Sequence, residues 1–395
     1  MNRGEYRLNY QQLKIDIIEY SRTIGIDKIG FASASTFSEL RNRLVRQQEL
    51  EYQSGFEEPD INKRVEPSLL LPEAASIISI ALAYPSKMKT RVESKKGERR
   101  GIFCRASWGT DYHTVLRDRL KKLEDYIQSR VPGALVKSMV DTGELADRAV
   151  AERAGIGWSG KNCAIITPEF GSYVYLGEMI TNLPLEPDQP IENGCGDCNK
   201  CVDACPTGAL VQGGQLNSHK CIAFLTQTKG FLPDEFRGKI GNRLYGCDTC
   251  QTVCPENKGK DFHFHEEMEP DPEIAKPLLR PLLLMSNREF KEKFGHVSGS
   301  WRGKKPIQRN AIIALAHYKD ETAVEDLIQV MEKDPRPVLR GTAAWALGKI
   351  GGAEAMDALV TAKQKEVDEE VLDELNKGLS FNPVSKFIKT VAMVI

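Results

Sequence analysis

The spacing of the cysteines constrains this chain more than any other feature. Residues 195–206, CGDCNKCVDACP, have the pattern C-x2-C-x2-C-x3-C-P. Residues 246–255, GCDTCQTVCP, repeat it with one cysteine fewer, and Leu244 stands where a full repeat would begin. Such short spacings let one loop bring several thiols around a single centre, so both runs predict compact, loop-rich segments built around bound metal.

The first run has the spacing with which bacterial ferredoxins hold [4Fe–4S] clusters. In two-cluster ferredoxins the fourth cysteine of each run ligates the other cluster. Applied here, that crossing predicts a first cluster held by Cys195, Cys198, Cys201 and Cys254. The second cluster is predicted on Cys205, Cys221, Cys247 and Cys250, with Cys221 of NSHKCIAF replacing the ligand lost at Leu244.

Zinc is the alternative occupant, because C-x2-C pairs also bind zinc. The third cysteine at the same short spacing, and Pro206 and Pro255 after the closing cysteines, favour iron–sulfur clusters.

Two of the ten cysteines remain. Cys163 precedes an apolar run and is predicted to pack in a core. Cys104 is followed by Arg105, which would favour its thiolate, although core packing is the default for it too.

Length and composition indicate a multidomain globular protein. The 395 residues are too many for one core, and 41% hydrophobic with 28% charged residues is ordinary for such a protein. The longest apolar run, SIISIALAYP, is too short for a membrane span and is predicted to be a buried strand. The first 22 residues have the pattern of an amphipathic helix rather than a signal peptide, so we expect a cytoplasmic protein that is not bound to a membrane.

The fold class predicted from these patterns is α+β, in three domains. Helix and strand patterns alternate over residues 1–185, which predicts an α/β domain, and the ferredoxin-like double-cluster domain is placed at 186–275. Residues 276–395 contain a 32-residue repeat that predicts a HEAT-like α-solenoid. The repeat relates Ala311, Ala314, Leu315, Ala323 and Leu327 to Ala343, Ala346, Leu347, Ala355 and Leu359.

Charge is unevenly distributed, although the net charge is −1. Residues 87–105 hold eight Lys or Arg against two Glu, and residues 277–310 again hold eight against two. A single basic run is usually a solvated face. Two such runs in a nearly neutral chain favour a polyanionic partner.

Five segments together resemble one family over essentially the whole chain. They are GIFCRASWG, SMVDTGELADRAVAERAGIGWSGKN, CGDCNKCVDACPTGAL, IGNRLYGCDTCQTVCP and GSWRGKKPIQRNA. The family is the epoxyqueuosine reductases, which are similar to reductive dehalogenases. The resemblance implies a cobalamin-binding N-terminal domain, the double-cluster module, and HEAT-like repeats that contact tRNA. It implies reduction of epoxyqueuosine to queuosine at the tRNA wobble position, with electrons passing through the two clusters to cobalamin.

The resemblance also assigns residues to roles. The Asp of VDTGE, Asp141, is the implied proton donor, since an epoxide oxygen leaves poorly unless protonated and a carboxyl of raised pKa can protonate it. A D-x-x-E capping box with Glu144 is the alternative explanation of this aspartate. The implied cobalamin contacts are Arg64, Cys104, His113, Asp141, Cys247 and Asp248.

The tRNA contacts are predicted just before the first repeat. Basic side chains there would neutralise phosphates, and Trp301 would stack on an anticodon base, unless it is a core residue at a domain junction. The predicted residues are Trp301, Arg302, Lys304, Lys305 and Arg309. A low-potential electron donor such as flavodoxin or ferredoxin, and a monomeric state, complete the expected partners.

Two other functions are compatible with part of the sequence. One is a cobalamin and iron–sulfur reductase of the dehalogenase type that acts on a small molecule. The other is a non-catalytic, ferredoxin-like electron carrier attached to an interaction scaffold. The first leaves the paired basic runs unexplained, and the second leaves the N-terminal 185 residues without a role.

Overall fold

A computed structural model describes residues 9–381, in which the chain forms two compact units. Unit 1 contains residues 9–87, 109–221 and 248–269, and unit 2 contains 88–108, 222–247 and the residues from 270 onward. The domain boundaries predicted at residues 185 and 275 remain a prediction. Spatial contacts place the segments 88–108 and 222–247 in the same unit as the C-terminal residues. The end of the predicted last domain, residues 382–395, lies outside the described residues.

Helices and strands are numbered here along the whole chain. The helices are α1 Tyr10–Thr23, α2 Ser38–Glu49, α3 Ile61–Val65, α4 Tyr112–Arg130, α5 Asp147–Arg153, α6 Lys200–Asp203, α7 Ile222–Leu225, α8 Asp234–Ile240, α9 Thr249–Thr252, α10 Pro272–Ala275, α11 Leu279–Leu284, α12 Asn287–Phe294, α13 Lys304–Tyr318, α14 Val324–Lys333, α15 Pro337–Ile350, α16 Ala353–Lys363 and α17 Glu369–Ser380. The strands are β1 Lys28–Ser33, β2 Ser76–Ala83, β3 Ile102–Phe103, β4 Val136–Met139, β5 Trp158–Ser159, β6 Ile165–Ile166, β7 Val174–Thr181, β8 Leu210–Gln212, β9 Gln215–Leu216 and β10 Arg243–Tyr245.

Unit 1 is built on a four-stranded sheet with the order β1-β2-β7-β4. Every neighbouring pair is antiparallel, with Ile80 of β2 opposite Gly177 of β7. All eight residues of β2 are buried, as its continuous apolar sequence predicts for a central strand covered on both faces. The two central strands therefore form the rigid base from which the turn after β4 projects.

Helices α4 and α5 pack against this sheet. Val150 and Ala151 of α5, with Ala154 directly after it, share a buried cluster with Ile77 of β2 and Ile180 of β7. Because side chains alternate along a strand, Glu178 lies on the same face of β7 as Ile180. The sheet face covered by α5 thus contains one acidic residue among apolar ones.

Unit 2 is mainly helical. Strands β3 and β10 pair in parallel, and one buried cluster runs from Phe103 through the helices to Leu375. Helix α15 contacts α13, α14 and α16, and α17 packs against α15 and α16. The ten residues that define the predicted repeat, from Ala311 to Leu359, are all fully buried. The 32-residue period is therefore the spacing of equivalent core residues in successive repeats.

Helix α5 starts later than its sequence predicts. The segment GELADRAVAERAG, residues 143–155, has a helical pattern from its first residue, whereas the helix begins at Asp147. Residues 141–146 instead form a turn that carries Asp141. Among residues 9–381, no helix is long and apolar enough to cross a lipid bilayer.

Candidate functional site

Asp141 lies on a tight, exposed turn that follows β4. Its φ is 52°, in the left-handed region that residues with a side chain seldom adopt. The Thr142 N–H donates to the Val140 carbonyl at 2.5 Å, and the Asp141 N–H donates to Asp147 Oδ2 at 3.0 Å. The Asp141 side chain is 58% exposed. The turn therefore presents a carboxyl group outward while its backbone is held by hydrogen bonds.

The capping explanation of Asp141 is wrong. The residue before α5 is Ala146, five residues after Asp141, and the Asp141 carboxyl does not bond the start of that helix. Glu144 instead forms an ion pair with Lys137 at 2.9 Å. The sequence pattern D-x-x-E was misleading because the helix starts later than its composition suggests.

Two aromatic side chains at the start of α4 hold the Asp141 carboxyl. The Tyr112 hydroxyl donates to Asp141 Oδ2 at 2.9 Å, and His113 Nε2 lies 3.3 Å from the same oxygen. The other ring nitrogen, His113 Nδ1, lies 2.7 Å from Asp111 Oδ1. His113 is thus bonded between two carboxylates and is only 19% exposed, unlike a histidine on the solvent face of a helix. Tyr112 was not among the predicted site residues, although its position next to His113 in the sequence could have indicated it.

The proton in this group lies on the histidine. Burial lowers the pKa of His113, but its hydrogen bonds to Asp111 and Asp141 outweigh that effect and raise the pKa to about 9. The hydrogen bond from His113 lowers the pKa of Asp141. This differs from the raised pKa that a desolvated carboxyl was expected to have. At neutral pH the pair therefore contains an imidazolium and a carboxylate.

The four cysteines predicted for the first cluster lie close together in unit 1. Burial raises the pKa of Cys201, and charge on the neighbouring thiols of Cys254 and Cys195 raises it further. The thiol of Cys254 is in turn influenced by Cys195 and Cys198. Helices α6 and α9, which carry cysteines of the two runs, are also in contact. These thiols are near enough to influence one another's ionisation, as the ligands of one [4Fe–4S] cluster would be.

Lys161 binds the first loop of this cysteine group, and the sequence reasoning missed it. Its backbone N–H donates to Cys195 Sγ at 3.5 Å, and its ammonium group donates to the Gly196 carbonyl at 2.7 Å and to Asn199 Oδ1 at 3.2 Å. The stem of Lys161 lies against Gly213, where a Cβ would come within 2.7 Å of it. Hydrogen bonds and positive charge near the sulfurs are two of the factors that set a cluster's reduction potential.

The second set of four cysteines is divided between the units. Cys205, Cys221 and Cys250 belong to unit 1, whereas Cys247 belongs to unit 2. Burial opposes ionisation of Cys205, but backbone N–H groups lower the pKa of this thiol, with Ala209 N donating to its sulfur at 3.2 Å. Backbone donors around a buried sulfur suit a thiolate that ligates iron. For Cys205 the surroundings fit the predicted role.

In unit 1, Arg64 fits the polar edge of a corrin. It lies on the short helix α3, and burial lowers its pKa. Within the described part of the chain, its guanidinium makes no hydrogen bond and no ion pair. A half-buried arginine with open donors can bind the amide or phosphate oxygens of cobalamin.

In unit 2, Cys104 lies directly beside the residue that precedes Cys247. The Cys104 N–H donates to the Tyr245 carbonyl at 2.9 Å, where β3 meets β10. Gly246 has a φ of 72°, and a Cβ at that position would overlap the Cys104 sulfur. Glycine is therefore required there, and it lets the chain of Cys247 run close to Cys104.

Four of the five predicted tRNA-contacting residues lie at least partly at the surface of unit 2. Trp301 is 53% exposed, so its interpretation as a core tryptophan is wrong. Its Nε1 donates to Gln227 Oε1 at 2.8 Å, and the Arg302 guanidinium lies 4.9 Å from the ring centre. The Lys304 ammonium donates to the Met285 carbonyl at 2.9 Å, and Lys305 is partly exposed.

Arg309 is a correction to the predicted tRNA surface. It is only 1% exposed, and its guanidinium donates to the backbone carbonyls of Leu225, Thr228 and Gly230. Asn310 accepts from it as well, at 3.0 Å. A side chain whose donors are all bonded inside the protein cannot neutralise a phosphate. Arg309 anchors the loop after α7 to α13 instead.

Three family models match separate parts of the chain. The one described as Epoxyqueuosine reductase QueG, DUF1730 matches residues 64–142. A 4Fe-4S double cluster binding domain matches residues 194–257, and HEAT repeats match residues 303–380. The second match decides between iron–sulfur clusters and zinc, and the third confirms the predicted solenoid.

Whole-chain comparisons give one consistent result. An epoxyqueuosine reductase of Bacillus cereus is 73% identical over 372 residues, which are 94% of this chain and 98% of the relative. A crystal structure of epoxyqueuosine reductase with an epoxyqueuosine-modified tRNA-Tyr stem loop is 69% identical, with a TM-score of 0.93, and covers 94% of this chain and 99% of its own. The Bacillus subtilis enzyme, solved with its catalytic aspartate loop swung out of the active site, also has a TM-score of 0.93 at 69% identity, and covers 94% and 100%.

These findings confirm the reductase predicted from the sequence, and they do not favour a small-molecule dehalogenase or a non-catalytic carrier. They also confirm its cofactors, because enzymes of this kind use cobalamin together with two [4Fe–4S] clusters. The matches extend across all the predicted regions at high identity. The chain belongs to the epoxyqueuosine reductase family.

Proposed function

We propose that this chain removes the epoxide oxygen from epoxyqueuosine at the wobble position of tRNA, and that Asp141 supplies the proton to that oxygen. The observation that carries the assignment is the hydrogen-bonded group of Asp141, His113 and Tyr112 on an outward-facing turn. The relative solved with a catalytic aspartate loop supports it, since Asp141 also lies on an exposed turn. A carboxyl group that meets substrate must be reachable in this way.

The reaction converts an epoxide, two electrons and two protons into an alkene and water. When bound, cobalamin supplies low-potential chemistry at carbon, and the clusters pass single electrons to it. The chain's own residues must bind the base, exclude water and place a proton on the oxygen as the C–O bond breaks. An unprotonated epoxide oxygen would have to leave as a strongly basic alkoxide, so proton delivery is a major part of the barrier.

His113 gives Asp141 a source for that proton. Before substrate binds, His113 holds the proton because the hydrogen bonds from His113 and Tyr112 keep the pKa of Asp141 low. When the modified base covers the turn, desolvation raises the pKa of the carboxyl and favours transfer from His113 Nε2 to Asp141 Oδ2, now 3.3 Å apart. The Tyr112 hydroxyl keeps the same oxygen in place. The acid is thus formed only when substrate is bound.

We assign the corrin contacts on the resemblance: Arg64, Cys104, His113, Asp141, Cys247 and Asp248. The open donors of Arg64 and the glycine-dependent approach of Cys104 to the chain before Cys247 support the assignment within each unit. The low-potential donor is proposed to be a flavodoxin or ferredoxin, since clusters accept electrons singly. We also propose a monomer that works in the cytoplasm, where tRNA is modified.

The function is tested by turnover of a modified anticodon stem loop. The chain is purified anaerobically, supplied with cobalamin and a low-potential reductant, and incubated with a stem loop that contains epoxyqueuosine. Nucleoside mass analysis should show loss of one oxygen atom from the modified base. Free epoxyqueuosine nucleoside is the control. Equal turnover of the free nucleoside, or no turnover of the stem loop, would contradict a tRNA-directed reductase.

Changing the charge of the proposed tRNA surface should weaken binding. Lys304→Glu combined with Lys305→Glu should reduce affinity for the stem loop on the order of tenfold, because two phosphate-neutralising cations become anions. The plot of log affinity against log salt concentration should become shallower, its slope decreasing in magnitude by about 1 for each lost phosphate contact. Stem-loop affinity measured across a salt series tests both effects.

The control is Lys363→Glu combined with Lys365→Glu, an equal charge change at two exposed lysines near the end of α16. It should leave the affinity and the salt slope unchanged. If both double variants weaken binding equally, overall charge rather than this surface attracts tRNA. If neither does, the surface is wrongly placed.

A further inference from the structure

The buried carboxyl group of Glu178 has no role in the mechanism so far. Glu178 lies in the centre of β7, between Ser79 of β2 and Met139 of β4, and is only 1% exposed. Its Oε1 has no hydrogen-bond partner among the described residues. An acidic group in the middle of a sheet is costly to bury, so an apolar residue would be expected here unless the carboxyl has a function.

Glu178 is paired with a second carboxyl group, that of Asp147 at the start of α5. Burial and the neighbouring Asp147 raise the pKa of Glu178 well above its usual range. Burial and the charge of Asp141 raise the pKa of Asp147 to about 6. The raised pKa favours a protonated Glu178, whose O–H donates to the Asp147 carboxyl, so that the two carboxyl groups share a proton.

Asp147 connects this pair to the catalytic turn. Its Oδ2 accepts the backbone N–H of Asp141 at 3.0 Å. Asp141 has a φ of 52°, a conformation that persists only where surrounding contacts hold it. The Asp147 contact is one of these, and it depends in turn on how Glu178 orients Asp147. The contacts thus run from the sheet core to the turn that carries the proposed acid.

We infer that Glu178 and Asp147 are positioning residues for Asp141. Neutral Glu178 fixes the Asp147 carboxylate, and Asp147 holds the Asp141 backbone so that the Asp141 side chain meets His113 and Tyr112. The inference rests on the proposed role of Asp141 as the acid. Neither residue touches the reacting atoms, so each acts only through the turn.

A pH dependence follows from this arrangement. Among the described residues, Asp141 of the turn influences both carboxyl groups, and Asp147 influences Arg64 of α3. When Glu178 loses its proton, it can no longer donate to Asp147, and the two carboxylates repel each other. The turn is then released and kcat falls. Loss of the His113 proton, whose pKa is about 9, also lowers kcat at alkaline pH. A glutamine at 178 donates at every pH, so it should remove the part due to Glu178 and leave the part due to His113.

The experiment compares Glu178→Gln with Glu178→Leu. Leucine should lower kcat on the order of tenfold or more while changing KM for the stem loop less than twofold, because substrate still binds but the acid is misplaced. Glutamine should restore most of that loss at neutral pH, and its alkaline fall in kcat should be only the one that His113 causes. Glu144→Gln, on the same segment but paired only with Lys137, is the matched control and should resemble the parent chain.

Hydrogen exchange of the Asp141 amide gives a readout that does not need turnover. The amide should be protected in the parent chain and in Glu178→Gln, and should exchange faster in Glu178→Leu. If Glu178→Leu fails to fold, Asp147→Ala serves the same purpose. It removes the acceptor of the Asp141 N–H, and Asp147 lies on α5 rather than in the sheet. Faster exchange of the Asp141 amide in Glu178→Leu, together with an inactive Asp141→Asn, supports the inference. If that amide exchanges faster in Glu178→Leu but Asp141→Asn is fully active, only the assignment of Asp141 as the acid is overturned.

Two results would overturn the inference itself. One is an Asp141 amide that stays protected in both Glu178→Leu and Asp147→Ala. The other is a Glu178→Gln variant whose kcat at neutral pH is as low as that of Glu178→Leu. A fall in melting temperature without a change in the kcat profile would mean that the pair only stabilises the core.

Discussion

Asp141→Asn is expected to lower turnover of the epoxyqueuosine stem loop by about 100- to 10,000-fold, the range that a positioned general acid contributes. Asparagine can still accept from Tyr112, but it cannot take the proton from His113 and pass it to the epoxide oxygen. Single-turnover rates with reduced, cobalamin-loaded protein measure the loss directly. Iron and cobalt contents should remain those of the parent chain, which separates lost chemistry from lost cofactor.

The control for this variant is Asp125→Asn, an equal change at an exposed aspartate on α4 that is paired with Lys121. It should leave turnover unchanged. Near-normal turnover in Asp141→Asn would exclude Asp141 as the proton donor. His113, which has a raised pKa and contacts the same oxygen site, would then be the next candidate.

Cys201→Ala is expected to abolish turnover by removing the first cluster. Its thiol lies near those of Cys195 and Cys254, and three cysteines cannot complete the ligand set of a [4Fe–4S] cluster. Iron should fall from about eight to about four atoms per chain, because the second cluster has its own four ligands. Iron analysis and electron paramagnetic resonance of the reduced protein measure the change.

Cys163→Ala is the matched control, since it removes a cysteine that lies outside both predicted ligand sets. Burial raises the pKa of Cys163, and its carbonyl accepts from Arg148 at 2.7 Å, as for a structural residue. This variant should keep about eight iron atoms. Full iron in Cys201→Ala, or a loss of iron in Cys163→Ala, would contradict the ligand assignment.

Several features were predictable because they depend on short stretches of sequence. Helix α4 covers the whole of one continuous amphipathic segment, YHTVLRDRLKKLEDYIQSR, which by itself predicts a helix and follows Asp111, which caps it. Strand β2 is buried throughout, as its unbroken apolar run predicts. The repeat in α13 to α16 is visible because stacked helices need the same small apolar residues at the same positions.

Other features required the tertiary structure because their partners are distant in sequence. Arg309 belongs to a basic run, but its neighbours in space are backbone carbonyls of the loop after α7, and these decide that it is buried. Asp141 was interpreted as a possible helix cap, and only the later start of α5 shows that it is not. The lowered pKa of Asp141 likewise depends on His113, which lies on a different element.

The family, the metal chemistry and the 32-residue repeat could be predicted from the chain alone, because cysteine spacing, periodicity and short motifs are local properties of a sequence. The burial of Glu178 beside Asp147 could not be predicted in this way. The positions of the protons and charges around the catalytic turn follow from folding. The physical reason is that a pKa depends on burial and on groups brought together by folding, and the spacing of residues along the chain specifies neither.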